Sequence, residues 1–357
     1  MNKFASSPVD VHWIGVDVAK MTFDAALARH GQKWPSTPMA SVPVRTFART
    51  REGVGEFLAW LDALTGGDDA PCAVRAVMEA TGRYSTELAV WMTELRPSLS
   101  PAIEPPRQTA AFIKSMGLRN KTDKMEARAL GFYGIERQPA AYTPAGGQEA
   151  LLRELVRNRD FLVRQRVAEA NRADEVKHCP FSRKMADRRL AQTDRDIKKT
   201  ELEMRKVVNS TQELKDDIGR MCTIYGVGFI VAATVRAELG DLRRFQKARQ
   251  LSAFAGLSPS SRQSGTSVHG RPHMDKRGNP RVRQVLYLSA LVVIRGNNRL
   301  HRDYLRLRAD GKAAMSAIGA IMRKLLVLMR AILISGKPFD PLWKTQSIYA
   351  PYQGQNT

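Results

Sequence analysis

The 357-residue sequence predicts a mixed α/β layer domain, then a helical arm, then a mainly helical and strongly basic C-terminal domain. Three observations predict this. Short apolar strand-like runs and helical spacing alternate up to residue 145. Glycine then vanishes from Gln148 to Val208 while charge dominates. Beyond Thr211, helical patterns resume around one loop rich in Gly, Ser and Pro, Gly256–Pro280.

Taken in order, His12–Ala19 (HWIGVDVA) reads as a buried strand, and Thr22–Ala28 follows at turn distance as its hairpin partner. Val42–Ala48 reads as a third strand. Glu52–Leu64 places Val54, Phe57, Leu58, Trp60 and Leu61 at helical spacing. Ala73–Glu79 is another apolar strand, and Ala80-Thr81-Gly82 turns it into a helix, Tyr84–Leu95. Leu99–Ile103 reads as a short fifth strand and Lys124–Arg137 as a helix, with a linker at Pro144-Ala-Gly-Gly. The arm, 146–210, reads as two long helices broken near His178-Cys-Pro180. Their apolar positions are Leu151, Leu155 and Leu162, then Leu190, Ile197 and Met204. These make an antiparallel hairpin or coiled-coil arm; a solvated helical spacer is the blander reading. The C-terminal domain occupies 211–345 and a tail 346–357.

Lys and Arg number 57 against 35 Asp and Glu, a net charge of +22. Between Leu242 and Arg330 stand 19 basic residues and three acids, so this stretch carries +16 of that charge. Such concentration points to a polyanion, most simply nucleic acid. The basic residues are not confined to one amphipathic helix, which argues against a membrane surface. The apolar segment Ala313–Ser335 is interrupted by Arg323, Lys324 and Arg330 and reads as a buried amphipathic helix. Three separated cysteines and an N-terminus without an apolar core predict a cytoplasmic, nucleoid-associated protein with neither disulfides nor a zinc site.

Asp17 sits in the apolar run IGVDVAK and Glu79 ends AVME. A charged side chain among strand residues is costly unless it faces solvent, a partner or a metal. Asp123 and Glu126 share one helix face at i,i+3; the same pattern is also a capping box. Together the four carboxylates make an oxygen-rich set suited to Mg²⁺ or Mn²⁺. Arg119, Lys121 and Arg128 lie nearby as candidate phosphate contacts, or as ordinary solvated charges.

Ile224-Tyr-Gly-Val-Gly228 resembles the hairpin of helix-hairpin-helix modules, where glycines let backbone N–H groups approach phosphate. Gly226 and Gly228 are therefore candidate nucleic-acid contacts, with Arg243 and Arg244 following; a plain interhelical turn explains the glycines as well. In the loop after Phe254, Ser258, Ser260, Ser261, Ser264 and Ser267 are all candidate nucleophiles. A serine needs a proton acceptor or product stabilisation to react, and Arg262, Arg271, Lys276 and Arg277 lie close in sequence. His269 and His273 mark a polar loop rather than a ligand pair.

The ordered series IGVDVAK, EATGRY, GLRNKTDKMEARAL, IYGVG and FAGLSPSSRQSGTSVHG resembles the Piv-type DNA invertases. Their insertion-sequence relatives, the "one-hundred-and-ten" family with its bridge-RNA-guided recombinases, share it. The resemblance spans about residues 11 to 340. It implies an RNase H-like (RuvC-like) N-terminal domain with an acidic tetrad, a coiled-coil region and a C-terminal transposase domain. By motif position Asp17, Glu79 and Asp123 match the first three acids; Glu126 stands where the family usually has Asp. Ser264 matches the catalytic serine. The implied chemistry is strand exchange through a serine–phosphate link at a Mg²⁺ (or Mn²⁺) centre. The implied partners are donor and target DNA, a structured bridge RNA and a tetramer, a dimer of dimers. A RuvC-like nuclease or junction resolvase would need the acids but not Ser264. A non-catalytic nucleic-acid-binding protein would need neither.

Overall fold

The computed structural model describes residues 10–67, 72–118, 122–143, 146–260, 263–264, 268–269, 273–275 and 278–340. The chain divides into two compact units, Met1–Pro144 and Ala145–Thr357.

The first unit is a five-stranded sheet of order β3-β2-β1-β4-β5. β1 (Val11–Val18), β2 (Thr22–Ala28) and β3 (Val44–Ala48) form an antiparallel meander; β4 (Ala73–Glu79) and β5 (Ala102–Glu104) extend it in parallel from β1. Strand alternation divides the side chains between two faces. Ile14, Val16, Phe23, Leu27, Phe47 and Met78 pack under α1 (Arg51–Thr65) and α2 (Arg83–Leu95). Trp13, Ala26, Val77 and Ala102 pack under α3 (Pro106–Ser115) and α4 (Asp123–Arg137). Gly15 makes the second packing possible. A Cβ there would stand 2.0 Å from the Ala127 carbonyl oxygen and 2.2 Å from the Gly131 nitrogen, so α4 lies directly on β1.

Several sequence expectations shift here. The fifth strand starts at Ala102, because Pro97–Leu99 forms a 3₁₀ turn and Ser100 has φ 39° before Pro101. α3 was not anticipated; it opens at Pro106, and proline is well suited to the first helical turn. α4 begins at Asp123, capped by the Thr122 hydroxyl, which accepts from Met125 N at 3.3 Å. The cap is therefore Thr122, and the capping-box account of Asp123 and Glu126 fails.

The second unit opens with α5 (Gly147–Glu175) and α6 (Pro180–Asn209). Arg159 pairs with Glu201, Arg166 with Asp194 and Arg189 with Glu169, so the helices run antiparallel. Of the expected apolar series only Met204 is fully buried. Leu151 is exposed; Leu155, Leu162, Leu190 and Ile197 are half-buried. The buried positions of α6 are Ala186, Thr193, Thr200, Met204, Val207 and Val208. Small residues at Ala186, Thr193 and Thr200 let the helices approach while flanking ion pairs hold them. At the base, Leu152, Val156, Met204 and Val207 join the core of α7 (Gln212–Cys222), α8 (Phe229–Leu239), α9 (Ala248–Phe254), α10 (Pro280–Val293), α11 (Arg299–Ala309) and α12 (Ala314–Ser335). α12 meets the expectation of a buried amphipathic helix. Arg330 donates to the Phe245 and Gln246 carbonyls at 2.9 and 3.0 Å, and Lys324 pairs with Asp303. Among the described residues no helix is long and apolar enough to cross a membrane.

The segment Gly256–Pro280, expected as a loop, contains two short strand pairs. β6 (Pro259–Ser260) pairs with β9 (His273–Met274), and β7 (Gln263–Ser264) with β8 (Val268–His269), both antiparallel. Its two ends touch: a Cβ on Gly278 would stand 2.1 Å from the Gly256 nitrogen.

Candidate active site

The strand register of the first unit aligns the acids. Asp17 of β1 lies opposite Asp24 of β2, and Asp24 opposite Thr46 of β3. Val16 pairs with Met78 in parallel, so the next step brings Asp17 level with Glu79, which pairs with Glu104 of β5. Thr46, Asp24, Asp17, Glu79 and Glu104 thus form one row across five strands, on the face covered by α3 and α4. Asp123, exposed at the first turn of α4, acts on this row from above.

Electrostatics tie the row together. The Asp17 carboxyl is pushed from its ordinary 3.8 to about 6, first by burial, then by the charges of Asp123, Asp24 and Glu79. Its hydrogen bond with the Val18 backbone opposes the rise. Thr109 of α3, fully buried, donates its hydroxyl to Glu79 Oε2 and fixes that carboxylate. Tyr133 donates to Glu104 Oε2 at 2.8 Å; burial and that carboxylate push the phenol up. Among the described residues no Lys, Arg or His makes an ion pair with Asp17, Asp24, Glu79 or Asp123. Nor are any three His, Cys, Asp or Glu gathered as a ready-made metal cage. The donor set nevertheless fits a hard divalent cation: carboxylates aligned in one row of the sheet, with no cation paired to them among the described residues.

The other expected site residues divide into three groups. Ser264 lies in β7, its backbone paired with Val268. Arg119, Lys121, Arg262, Arg271, Lys276 and Arg277 lie outside the described residues. The rest have internal work. Arg128 donates to the Val42 carbonyl at 3.0 Å. Arg243 binds Asp217, Asp241 and the Leu333 carbonyl, and its guanidinium is thereby committed to the core. Arg244 donates to the Leu239 carbonyl and stacks on Phe245 and Phe254, 4.8 and 5.3 Å from their ring centres; burial pulls its pKa down. Gly226, with φ 82°, packs against α10, and Ser289 donates to its carbonyl at 2.5 Å. A Cβ there would stand 2.6 Å from Val293, so Gly226 serves packing. Gly228, by contrast, has open space at its Cα and stands as the N-cap of α8.

The turn borders a cavity of about 1210 Å³ whose wall includes Gly226, Gly228, Arg302, Arg323 and Lys324. Arg302 and Arg323 make no ion pair among the described residues. In the sequence Arg302 lies unmarked inside a helical pattern, and Arg323 stands out only as an interruption of the apolar segment Ala313–Ser335, not as a phosphate contact. Charge separates the units sharply. Met1–Pro144 holds 17 Lys and Arg against 15 Asp and Glu; Ala145–Thr357 holds 40 against 20.

A carboxylate row on a mixed sheet, in one chain with a strongly basic helical unit, defines a nucleic-acid-processing enzyme. Comparison with known proteins makes it a transposase. Residues 14–176 match a DEDD-type transposase model of the IS110 group, and residues 219–306 match "Transposase IS116/IS110/IS902 family". The chain is 30% identical over 329 residues to the pilin gene-inverting protein of Moraxella bovis, covering 92% of this chain and 97% of that one. The Moraxella lacunata protein of the same name matches with the same identity and coverage. The transposase for insertion sequence element IS1111A of Coxiella burnetii is 34% identical over 105 residues, covering 29% of this chain and 28% of its own.

The chain belongs to the IS110/IS116/IS902 transposase family, with pilin gene-inverting proteins among its homologues. It is the DNA-binding, DNA-recombining enzyme of an insertion sequence of that family. The DEDD-type domain points to dependence on a divalent metal ion.

Proposed function

We propose that this transposase cuts and rejoins DNA through a covalent serine–phosphate link, with Asp17, Glu79 and Asp123 as the divalent-ion ligands and Ser264 as the nucleophile. Glu126, in the place of the usual fourth acid, shares the α4 face with Asp123. The observation that carries the reading is the strand register that aligns Asp24, Asp17 and Glu79 in one row, where burial and the charges of Asp123, Asp24 and Glu79 hold the Asp17 carboxyl at about 6. The strand order 3-2-1-4-5, an antiparallel meander continued by parallel strands, supports a RuvC-like, RNase H-type domain.

In this reading a bound Mg²⁺ or Mn²⁺ supplies charge neutralisation at the phosphate. Glu79 is held ready for the ion by Thr109. Ser264 Oγ attacks phosphorus; the Oγ–P bond forms as the backbone P–O bond breaks, and the departing strand oxygen takes up a proton. Rejoining is the reverse, with a DNA hydroxyl displacing Oγ, so the phosphodiester energy is retained without ATP. Donor and target DNA are the substrates. A structured bridge RNA selects them by base pairing, leaving the protein to hold backbone and shape. The two halves of each active site come from different subunits of a tetramer, a dimer of dimers.

Denaturing gels of protein incubated with end-labelled donor DNA test the chemistry. Wild type should give a protein–DNA adduct that survives denaturation. Ser264→Ala should give no adduct and no product, and Asp17→Asn and Asp123→Asn should bind DNA without cleaving it. Full recombination by Ser264→Ala would remove the covalent step; hydrolytic cleavage without an adduct would make the enzyme a nuclease.

A further inference from the structure

Asp24 is only 9% exposed, on a strand whose neighbours on the same face, Ala26 and Ala28, are apolar. Its partner across the antiparallel pair is Asp17. Like charges directly opposite in a sheet repel, and a buried carboxylate without a cation is costly. Among the described residues no cation pairs with Asp24. It is nonetheless held in place, because the Thr46 hydroxyl on β3 donates to Asp24 Oδ1. A side chain that only filled the sheet would be cheaper as alanine or valine. A clamped, buried carboxylate facing Asp17 is built for positive charge that arrives from outside the chain.

We propose that Asp24, clamped by Thr46, is a fifth carboxylate of the metal centre: a positioning residue that strengthens divalent-cation binding through Asp17. This rests on the reading of Asp17, Glu79 and Asp123 as ion ligands. Asp24 goes beyond the four acids for which the family type is named. Glu104, at the other end of the row, pairs with Glu79 and stands two strands from Asp17, so the role falls to Asp24.

Mn²⁺ binding to the full-length protein, read by electron paramagnetic resonance and calorimetry at pH 7.5, tests the assignment. Asp24→Asn keeps the shape and the Thr46 contact but removes the charge. It should weaken Mn²⁺ binding about tenfold or more, the range seen when partners of metal ligands are removed. The metal-free protein should melt no lower than wild type, because a repulsion has gone. A purely structural Asp24 would behave oppositely, lowering the melting temperature and leaving Mn²⁺ affinity unchanged; that result overturns the proposal. Thr46→Val, which frees the clamp, should weaken Mn²⁺ binding in the same direction, and wild-type affinity there overturns it should Asp24→Asn fail to fold. Asp17→Asn run in parallel separates two failures. If Asp17→Asn retains wild-type Mn²⁺ affinity, the metal-centre reading itself falls. If Asp17→Asn loses Mn²⁺ and Asp24→Asn does not, only the role of Asp24 falls.

Discussion

At the scale of single residues, Asp17 links stability to pH. Its folded-state carboxyl titrates near 6 and its unfolded-state carboxyl near 3.8. Between those values the unfolded chain sheds the proton while the folded protein keeps it. The stability contributed by Asp17 is therefore fully present below about pH 4 and lost as pH rises through about 6. Asp17→Asn removes the titration. In chelator-treated protein the variant should melt above wild type at pH 7.5, and that advantage should vanish at pH 4. Thermal melts across the range check this; a variant that melts below wild type at pH 7.5 would show that no repulsion exists there. The site was only half legible at this scale. Asp17 in IGVDVAK and Asp24 in TFDAALA carry the same signal, an acid inside an apolar strand. Only the register shows that the two face each other, and register is a property of the paired strands.

At the scale of elements, the position of α4 fixes where Asp123 meets Asp17, and small residues on β1 set it. Adding a methyl at Gly15 drives a Cβ to 2.0 Å from the Ala127 carbonyl, and the backbone of α4 cannot yield as a flexible side chain would. Gly15→Ala should therefore cost about 1–3 kcal/mol or more of stability, as for an overpacked core, and should separate Asp123 from Asp17. Gly55 provides the contrast: it is exposed on α1 and a Cβ there meets nothing within 4 Å. Gly55→Ala should stabilise by about 0.5–1 kcal/mol through helix propensity alone. Urea melts of the two variants test both signs at once; equal behaviour would mean that α4 does not rest on β1. Long periodic elements such as α5 and α6 were readable because their pattern repeats over many turns. α3 was not: only Thr109 and Phe112 of its ten residues are buried. The two-residue strands around Ser264 are too short to carry any period, so their pairing emerges only from the ladder.

For the whole molecule, the uneven charge assigns the work of holding DNA. The first unit is nearly neutral, with 17 basic against 15 acidic residues, and its acids gather where phosphate would be processed. The second has 40 against 20, yet part of that excess is internal. Arg236 is buried among Glu149, Glu213 and Asp217, Arg157 and Arg281 meet the buried Glu238, and Arg330 caps backbone carbonyls. Arg236, Arg157 and Arg281 tie the base of the arm to the helical core, and arginines so engaged release no counterions when DNA binds. Arg302 and Arg323, which line the cavity of the second unit and make no ion pair among the described residues, remain available. Affinity for non-specific duplex should fall linearly with the logarithm of salt concentration, each phosphate contact adding about 0.9 to the slope. The double variant Arg302→Ala/Arg323→Ala should flatten that slope by about 2 and weaken binding about equally for all sequences. Arg236→Ala should instead lower the melting temperature, because it removes the buried guanidinium shared by Glu149, Glu213 and Asp217, and leave the slope of the folded fraction unchanged. Fluorescence anisotropy over a salt series separates the two. If removing Arg302 and Arg323 leaves the slope intact, the DNA lies on another face of the basic unit.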